Sequence, residues 1–268
     1  MNLPPRKPGE IPFQTETDRA FTRIDLMAVI VVLLFVGGWL ALAYTGENGR
    51  IAQCTRNLST LGRAMQTYAD QNQGALPAAG IDWGKNQISW DMKLRPYLSA
   101  GKANSEQVFA TLPRFFFCPS DPANHYATPR SYAMGGNDMS LDHWPPGSDS
   151  ATGVGLWWDA RTISPLLKDL TGQKVEQLPV VKLSDIPRPA DTVLLTEFID
   201  PNNNLGSLRQ TTVIGPSQQR QFFKDGGVNF HHGKFNYLMV DGHVELLSRL
   251  QTGSWDGTGG IWIMKKGN

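Results

Sequence analysis

The sequence has little of several features that mark common protein classes. Its 268 residues carry a formal net charge of only +1, so the basic footprint of a nucleic-acid-binding protein is missing. It contains two cysteines, no internal repeat and no long low-complexity run. It also lacks the HExxH zinc motif and the nucleophile elbow of hydrolases. We therefore expect neither a nucleic-acid partner nor an enzyme.

One segment differs from the rest of the chain because it is almost entirely apolar. It spans residues 24–44, and the charged residue within it, Asp25, stands just inside its start. A helix needs about 20 apolar residues to cross a bilayer, whereas the core of a secretory signal has about 7 to 15. We therefore predict one membrane-spanning helix here, with a buried core helix as the alternative.

Basic residues are more frequent before this segment than after it. Those before it are Arg6, Lys7, Arg19 and Arg23, and those that follow are Arg50 and Arg56. Cytoplasmic flanks of a membrane span are enriched in Lys and Arg. The distribution predicts a cytoplasmic N-terminus and places the chain after residue 45 outside the cytoplasm.

The helical pattern continues beyond the apolar segment. Apolar residues recur three and four positions apart on one helix face: Ile51, Cys54, Leu58, Leu61, Met65 and Tyr68. Polar residues such as Asn57 fall off this stripe, and Gly74 and Pro77 end the pattern. We predict one helix from about residue 22 to 72, whose second half packs on its own domain. A coiled-coil seam is the alternative, but the stripe covers fewer than three heptads.

The clearest strand signal surrounds Asp241-Gly242, which stands between two apolar runs. This dipeptide predicts a hairpin, with Val240 opposite His243 and Met239 opposite Val244. One face is then apolar and is expected to cover the helix stripe: Phe235, Tyr237, Met239, Val244 and Leu246. The other face is expected to meet water: Asn236, His243 and Glu245. With a buried strand over residues 193–195, this predicts an α+β fold, a long N-terminal helix packed on an antiparallel sheet with long loops.

The stretch FTRIDLMAVIVVLL resembles the N-terminal signature of type IV prepilins and type II secretion pseudopilins. The resemblance implies a pilin-like fold and a leader of residues 1–20. A prepilin peptidase would cut after Ala20 and leave Phe21 as a methylated N-terminus. It further implies a transmembrane helix half at residues 21–45 and a globular domain outside the inner membrane at 46–268.

The same resemblance makes Asp25 the acid of the fifth mature position. A carboxylate in hydrocarbon is costly unless it is paired. The amino group of Phe21 on an incoming subunit would pair with Asp25 of its neighbour in a filament; the alternative is an acid solvated at the membrane interface. The sequence departs from the family's pattern at three positions: Ala20 replaces Gly, Arg23 an apolar residue and Asp25 a Glu.

A second resemblance covers most of the chain. The segments CTRNLSTLGRAMQTYADQNQGALP, FFCPSDPA and RSYAMGGN are similar to elements of a large pilin-like group from planctomycete and verrucomicrobial bacteria. His231, nine residues before Asp241-Gly242, matches that group's C-terminal signature. We expect these motif residues to be structural. A hydrolase site around His231 and Asp241 is the alternative.

Three further features have two interpretations each. Cys54 and Cys118, on an oxidising side of the membrane, are expected to form a disulfide, with buried free thiols as the alternative. The loop DPNNNLG, with oxygen ligands at Asp200, Asn202 and Asn204, is a turn-rich loop by default and a calcium loop as the alternative. The tryptophans of a Gly/Pro-rich region are expected either to fill the core or to stack on sugars: Trp144, Trp157 and Trp158.

These expectations favour an assembly subunit without chemistry or cofactor of its own. Its partners would be the prepilin peptidase and other pilin-like subunits in a pilus or secretion pseudopilus. The alternative is a membrane-anchored extracytoplasmic binding module, for example for glycans, that does not polymerise.

Overall fold

The computed structural model describes residues 23–83, 85–98, 113–136, 153–159, 174, 176, 178–219, 230–253 and 260–262. Ala20, Phe21 and Trp144, named above, lie outside the described residues. The chain divides into two compact units, Met1–Thr45 and Gly46–Asn268.

Helix α1 runs from Arg23 to Gln71, within one residue of each predicted end. Its first part, Arg23–Leu40, is long and apolar enough to cross a membrane, and none of it is buried. Its large apolar side chains are exposed, up to 80% for Phe35. Among the described residues this is the one segment with the length and composition of a membrane anchor or signal helix.

From Gly46 onward, α1 buries the predicted apolar stripe. Four stripe residues are at most 1% exposed: Cys54, Leu58, Leu61 and Met65. Asn57, expected off the stripe, is also buried, because its side-chain amide donates to the backbone carbonyls of Arg114 and Phe117 at 3.1 and 2.8 Å. These bonds offset the cost of burying the amide.

The described strands form two sheets. The strands are β1 (Gly80–Trp83), β2 (Asn86–Ser89), β3 (Tyr132–Gly135), β4 (Trp157–Asp159), β5 (Val193–Glu197), β6 (Thr212–Val213), β7 (Lys234–Met239) and β8 (Val244–Ser248). The larger sheet has the order β6-β3-β5-β7-β8 and the smaller β2-β1-β4. Two short helices also belong to this unit: α2 (Trp90–Leu98) and α3 (Pro113–Phe116).

The α+β class and the strand at residues 193–195 are confirmed, but the sheets are mixed rather than antiparallel. β3 pairs with β6, and β1 with β4, in parallel. Long connections separate the partners of both parallel pairs, and such connections allow a strand to return in the same direction.

The hairpin forms at Asp241-Gly242, but its predicted register is wrong by one residue. Leu238 lies opposite Val244 and Tyr237 opposite Glu245. The loop has three residues, because Gly242 donates to the carbonyl of Met239 and adopts a φ of +96°. A turn followed by a left-handed glycine closes a three-residue hairpin loop.

The register places the other face of β7 against α1. A Cβ atom at Gly62 would stand 3.0 Å from Cδ1 of Leu238, so helix and sheet approach closely there. Asn236, expected to meet water, shares this face and is 1% exposed. Phe235 and Tyr237 pack instead on Phe230 and Trp262, with ring centroids 5.3 and 5.8 Å apart. β7 is therefore a buried strand on both faces.

Candidate functional site

His231 lies at a sharp turn just before β7. It belongs to a short 3-10 segment, Phe230–Gly233, in which His231 and His232 have φ values of 45° and 55°. Gly233 follows with a φ of +80°. Left-handed backbone at non-glycine residues costs of order 1–3 kcal/mol each and persists only where surrounding contacts enforce it. The turn directs the His231 ring into the interior, where it is 0% exposed.

Each ring nitrogen of His231 meets a carboxylate. Nδ1 lies 2.9 Å from Oε1 of Glu47 on α1, and Nε2 lies 2.9 Å from Oε1 of Glu197 at the end of β5. The backbone N–H of His231 also donates to Glu47 Oε1 at 3.2 Å. A neutral imidazole donates from one nitrogen only, so this arrangement fits the doubly protonated imidazolium.

The electrostatics agree with that protonation state. Burial lowers the pKa of His231, but hydrogen bonds and charge interactions with Glu197 and Glu47 outweigh burial and raise this pKa above its ordinary 6.5. Burial raises the pKa of Glu47, but hydrogen bonds from His231 and Ser120 outweigh it and lower this pKa below its ordinary 4.5. Each charge therefore stabilises the other.

Neighbouring polar groups orient the two carboxylates. Asn236 donates to Glu197 twice, from its backbone N–H at 2.7 Å and from its side-chain amide at 2.8 Å. Thr55 on α1 donates to Asn236 Oδ1 at 2.9 Å, and Ser120 donates to Glu47 Oε1 at 2.8 Å. The network thus links α1, the sheet and the loop after α3.

The disulfide between Cys54 and Cys118 adjoins this network. It joins α1 to the loop after α3, with the Cα atoms 5.1 Å apart. Cys118 Sγ lies 3.4 Å from His231 Nε2 and 3.8 Å from Glu197 Oε1. We call Glu47, Cys54, Cys118, Glu197 and His231 the His231 cluster. Its two sulfurs, the imidazole nitrogen and an oxygen of Glu197 lie within 4.8 Å of one another, close enough for the four groups to hold one metal ion together.

The motif segments of the sequence converge near this cluster. Ser131 of the RSY segment donates to Asp121 of the CPSD segment at 2.6 Å and accepts from the backbone N–H of Cys118 at 3.0 Å. The Tyr132 hydroxyl reaches the carbonyl of Cys54 at 3.5 Å. The motifs therefore brace the loop that carries Cys118.

Arg130 anchors a second buried network. Its guanidinium pairs with Asp91 of α2 and donates to Asn203 Oδ1 at 2.7 Å. It also donates to the carbonyls of Ser207 and Arg209 at 3.2 and 2.9 Å. Four hydrogen bonds donated by this buried guanidinium go to protein groups and fix the 200–209 loop, so we regard Arg130 as structural.

The other predicted site residues have different surroundings. Asp241 accepts from His243 at the exposed hairpin turn, whereas the two ring nitrogens of His231 meet Glu47 and Glu197. In the loop proposed for calcium, Asp200 accepts from the N–H and amide of Asn202 at 2.7 and 3.1 Å and from Gln210 at 3.2 Å, an internally bonded turn. Trp158 is buried and donates to the carbonyl of Pro179, while Trp157 is half-buried.

Sequence reasoning missed the two acids that flank His231. Glu47 stands just after the apolar segment and Glu197 at the end of an apolar strand, and either position suits a solvated acid. The order of the short motifs was a signal that the segments meet, but it did not include these residues.

Comparison of the chain with known proteins finds no matching family, no matching curated protein and no matching solved structure.

Proposed function

We propose that this protein is a pilin-like assembly subunit, held in the membrane by its N-terminal helix and polymerising after leader cleavage. The observation that carries the proposal is the division of α1. Arg23–Leu40 exposes apolar side chains, whereas the same helix from Cys54 to Met65 buries its stripe in an α+β domain. Exposed apolar surface of this extent requires lipid or neighbouring helices as its environment.

The His231 cluster supports the proposal because it attaches α1 to the rest of its domain. A disulfide and a buried ion network both fasten α1 to the sheet domain close to residue 47. A subunit that is drawn into a filament by its helix must carry its domain along without local unfolding. The cluster provides that attachment and needs no catalytic role.

Asp25 supplies the test of assembly. Asp25→Ala is expected to leave membrane insertion intact and to abolish incorporation into filaments, because the amino group of the incoming Phe21 loses its partner. Asp25→Glu, which restores the family's usual acid, is the matched control and is expected to assemble. Incorporation is measured in the surface fraction sheared from cells. Normal incorporation of Asp25→Ala would contradict the proposal.

Leader cleavage has an independent test in the intact mass of the protein purified from its native membrane. A chain that begins at Phe21 and carries one added methyl group is expected. A chain that still carries residues 1–20 would contradict processing and would favour the anchored binding module.

A cavity favours that second candidate. It has a volume of about 420 Å³ and is lined by Tyr68, Asn72, Asn86, Lys93 and Trp158, among others. An aromatic ring with amide and ammonium groups is a suitable lining for a glycan. Glycan-array binding by the full chain that is lost in Tyr68→Ala and kept in Tyr126→Ala, an exposed aromatic outside this lining, would support it. No binding across a broad array would count against it.

A further inference from the structure

We propose that the His231 cluster binds one zinc ion when the Cys54–Cys118 disulfide is reduced. The inference is independent of the filament proposal. Two cysteine sulfurs, one imidazole nitrogen and one carboxylate oxygen lie within 4.8 Å of one another, and all four residues are buried. Zinc is held by four ligands of these kinds, and a site closed on all four sides is a structural one.

The donor atoms lie near the spacing of ligands around one ion. Ligand atoms at zinc bond lengths of about 2.0–2.3 Å stand roughly 3.3–3.8 Å apart in a tetrahedron. Cys118 Sγ is 3.4 Å from His231 Nε2 and 3.8 Å from Glu197 Oε1, and the latter two atoms are 2.9 Å apart. Small side-chain movements, with the two sulfurs released from each other, therefore complete the set.

The surrounding hydrogen bonds are those that orient zinc ligands. A histidine bound to zinc through one nitrogen usually donates its other N–H to a carboxylate, a backbone carbonyl or a water molecule. Glu47 accepts from His231 Nδ1 at 2.9 Å, which leaves Nε2 directed at Cys118 Sγ and Glu197. Asn236 fixes the Glu197 carboxylate with two hydrogen bonds. Both non-sulfur ligands are thus positioned before any ion arrives.

A dithiol can reduce the Cys54–Cys118 disulfide. The two thiols of the reductant are oxidised to a disulfide, the Cys54–Cys118 bond breaks, and each cysteine sulfur receives one proton. Zinc binding then displaces those two protons and the Nε2 proton of His231, so three protons are released. The two thiolates and Glu197 place three negative charges around a divalent cation. The disulfide and the zinc ion exclude each other, because both use the same sulfurs.

The test uses the full chain in detergent micelles, in oxidised and reduced forms. The reductant is a phosphine, which takes oxygen from water to become a phosphine oxide, because a dithiol would compete for the metal. The forms are titrated with zinc chloride alone and with cobalt chloride alone. We expect one metal ion per reduced chain, thiolate-to-cobalt charge-transfer absorption, and no binding by the oxidised chain.

Three outcomes would overturn the proposal. They are equal binding by both forms, the absence of thiolate-to-cobalt absorption, and loss of the fold on reduction that zinc does not restore.

Variants separate this site from adventitious binding. Cys118→Ser is expected to abolish the charge-transfer absorption. Glu47→Gln retains all four ligands and an acceptor for Nδ1, so it should keep the absorption and weaken zinc binding about 10- to 100-fold. His243→Ala removes an exposed histidine flanked by two acids and should change nothing. Equal effects of Glu47→Gln and His243→Ala would contradict the assignment.

Discussion

Two histidines of this chain each lie between two carboxylates, but one is buried and the other is exposed to solvent. His231 lies between Glu47 and Glu197 and is fully buried. His243 lies between Asp241 and Glu245 at 2.6 and 3.3 Å, and its side chain is 39% exposed. Acids raise the pKa of both imidazoles against the opposing effect of burial. The comparison shows that the contribution of a carboxylate–histidine–carboxylate arrangement to stability depends on its exposure to water.

The difference follows from screening. An ion pair in water is worth about 0–1 kcal/mol, because the solvent stabilises the separated charges almost as well. Removal of one partner from a buried pair costs about 3–5 kcal/mol, since the remaining charge stays in a poor solvent. The His231 cluster and the hairpin cluster of Asp241, His243 and Glu245 should therefore respond very differently to the same substitution.

His231→Ala should show the largest effect. It leaves the buried Glu197 without its cationic partner, and we expect the free energy of unfolding to fall by about 3–5 kcal/mol. Chemical denaturation of the disulfide form of the full chain, with chelator present and tryptophan fluorescence as the signal, measures this change. A loss below 1 kcal/mol would show that the buried network is not a determinant of stability.

The pH dependence of stability should separate the contributions of the two partners. The pKa of His231 is raised on folding, so its contribution is complete below 6.5 and is lost as pH rises through the higher folded value. The pKa of Glu47 is lowered, so its contribution is complete above 4.5 and is lost as pH falls through the folded value. The difference in unfolding free energy between wild type and His231→Ala should thus be largest between pH 4.5 and 6.5.

The groups that face His231 are Glu47 from α1, Glu197 from β5 and the Cys54–Cys118 disulfide, which does not titrate. No other described group is therefore needed to explain the predicted window. A difference that rises steadily from pH 5 to 9 would contradict the assignment of the imidazolium.

The contrast between the two clusters also marks what sequence can predict. The ends of α1 follow from local signals, the apolar segment, the stripe and the stop at Gly74. The hairpin at Asp241-Gly242 was equally local, yet its register depended on whether the loop has two residues or three. Glu47 and His231 are 184 positions apart. A single acid shows no periodicity from which its partner could be predicted. The exposed cluster, by contrast, lies within five consecutive residues.

Glu47→Gln should have an intermediate effect. Glu47 is 16% exposed, and the amide keeps an acceptor for His231 while it loses the charge. We expect a loss of about 1.5 kcal/mol, the lower end of the range for a hydrogen bond to a charged group. Glu245→Gln is the matched control in the hairpin cluster, and the same denaturation experiment should place it within about 0.5 kcal/mol of wild type. Equal losses from the two variants would remove the distinction between the clusters.

His243→Ala should have the smallest effect. The side chains of Asp241 and Glu245 are 38% and 48% exposed, so water solvates both acids once the imidazole is gone. The loop itself is held by the left-handed Gly242 and by backbone hydrogen bonds of Met239 with Gly242 and His243, which an alanine at 243 keeps. We expect a change in unfolding free energy of at most about 0.5–1 kcal/mol. A loss near that of His231→Ala would mean that geometry, and not burial, sets the strength of such a pair. The buried and exposed clusters would then not differ in their contribution to stability.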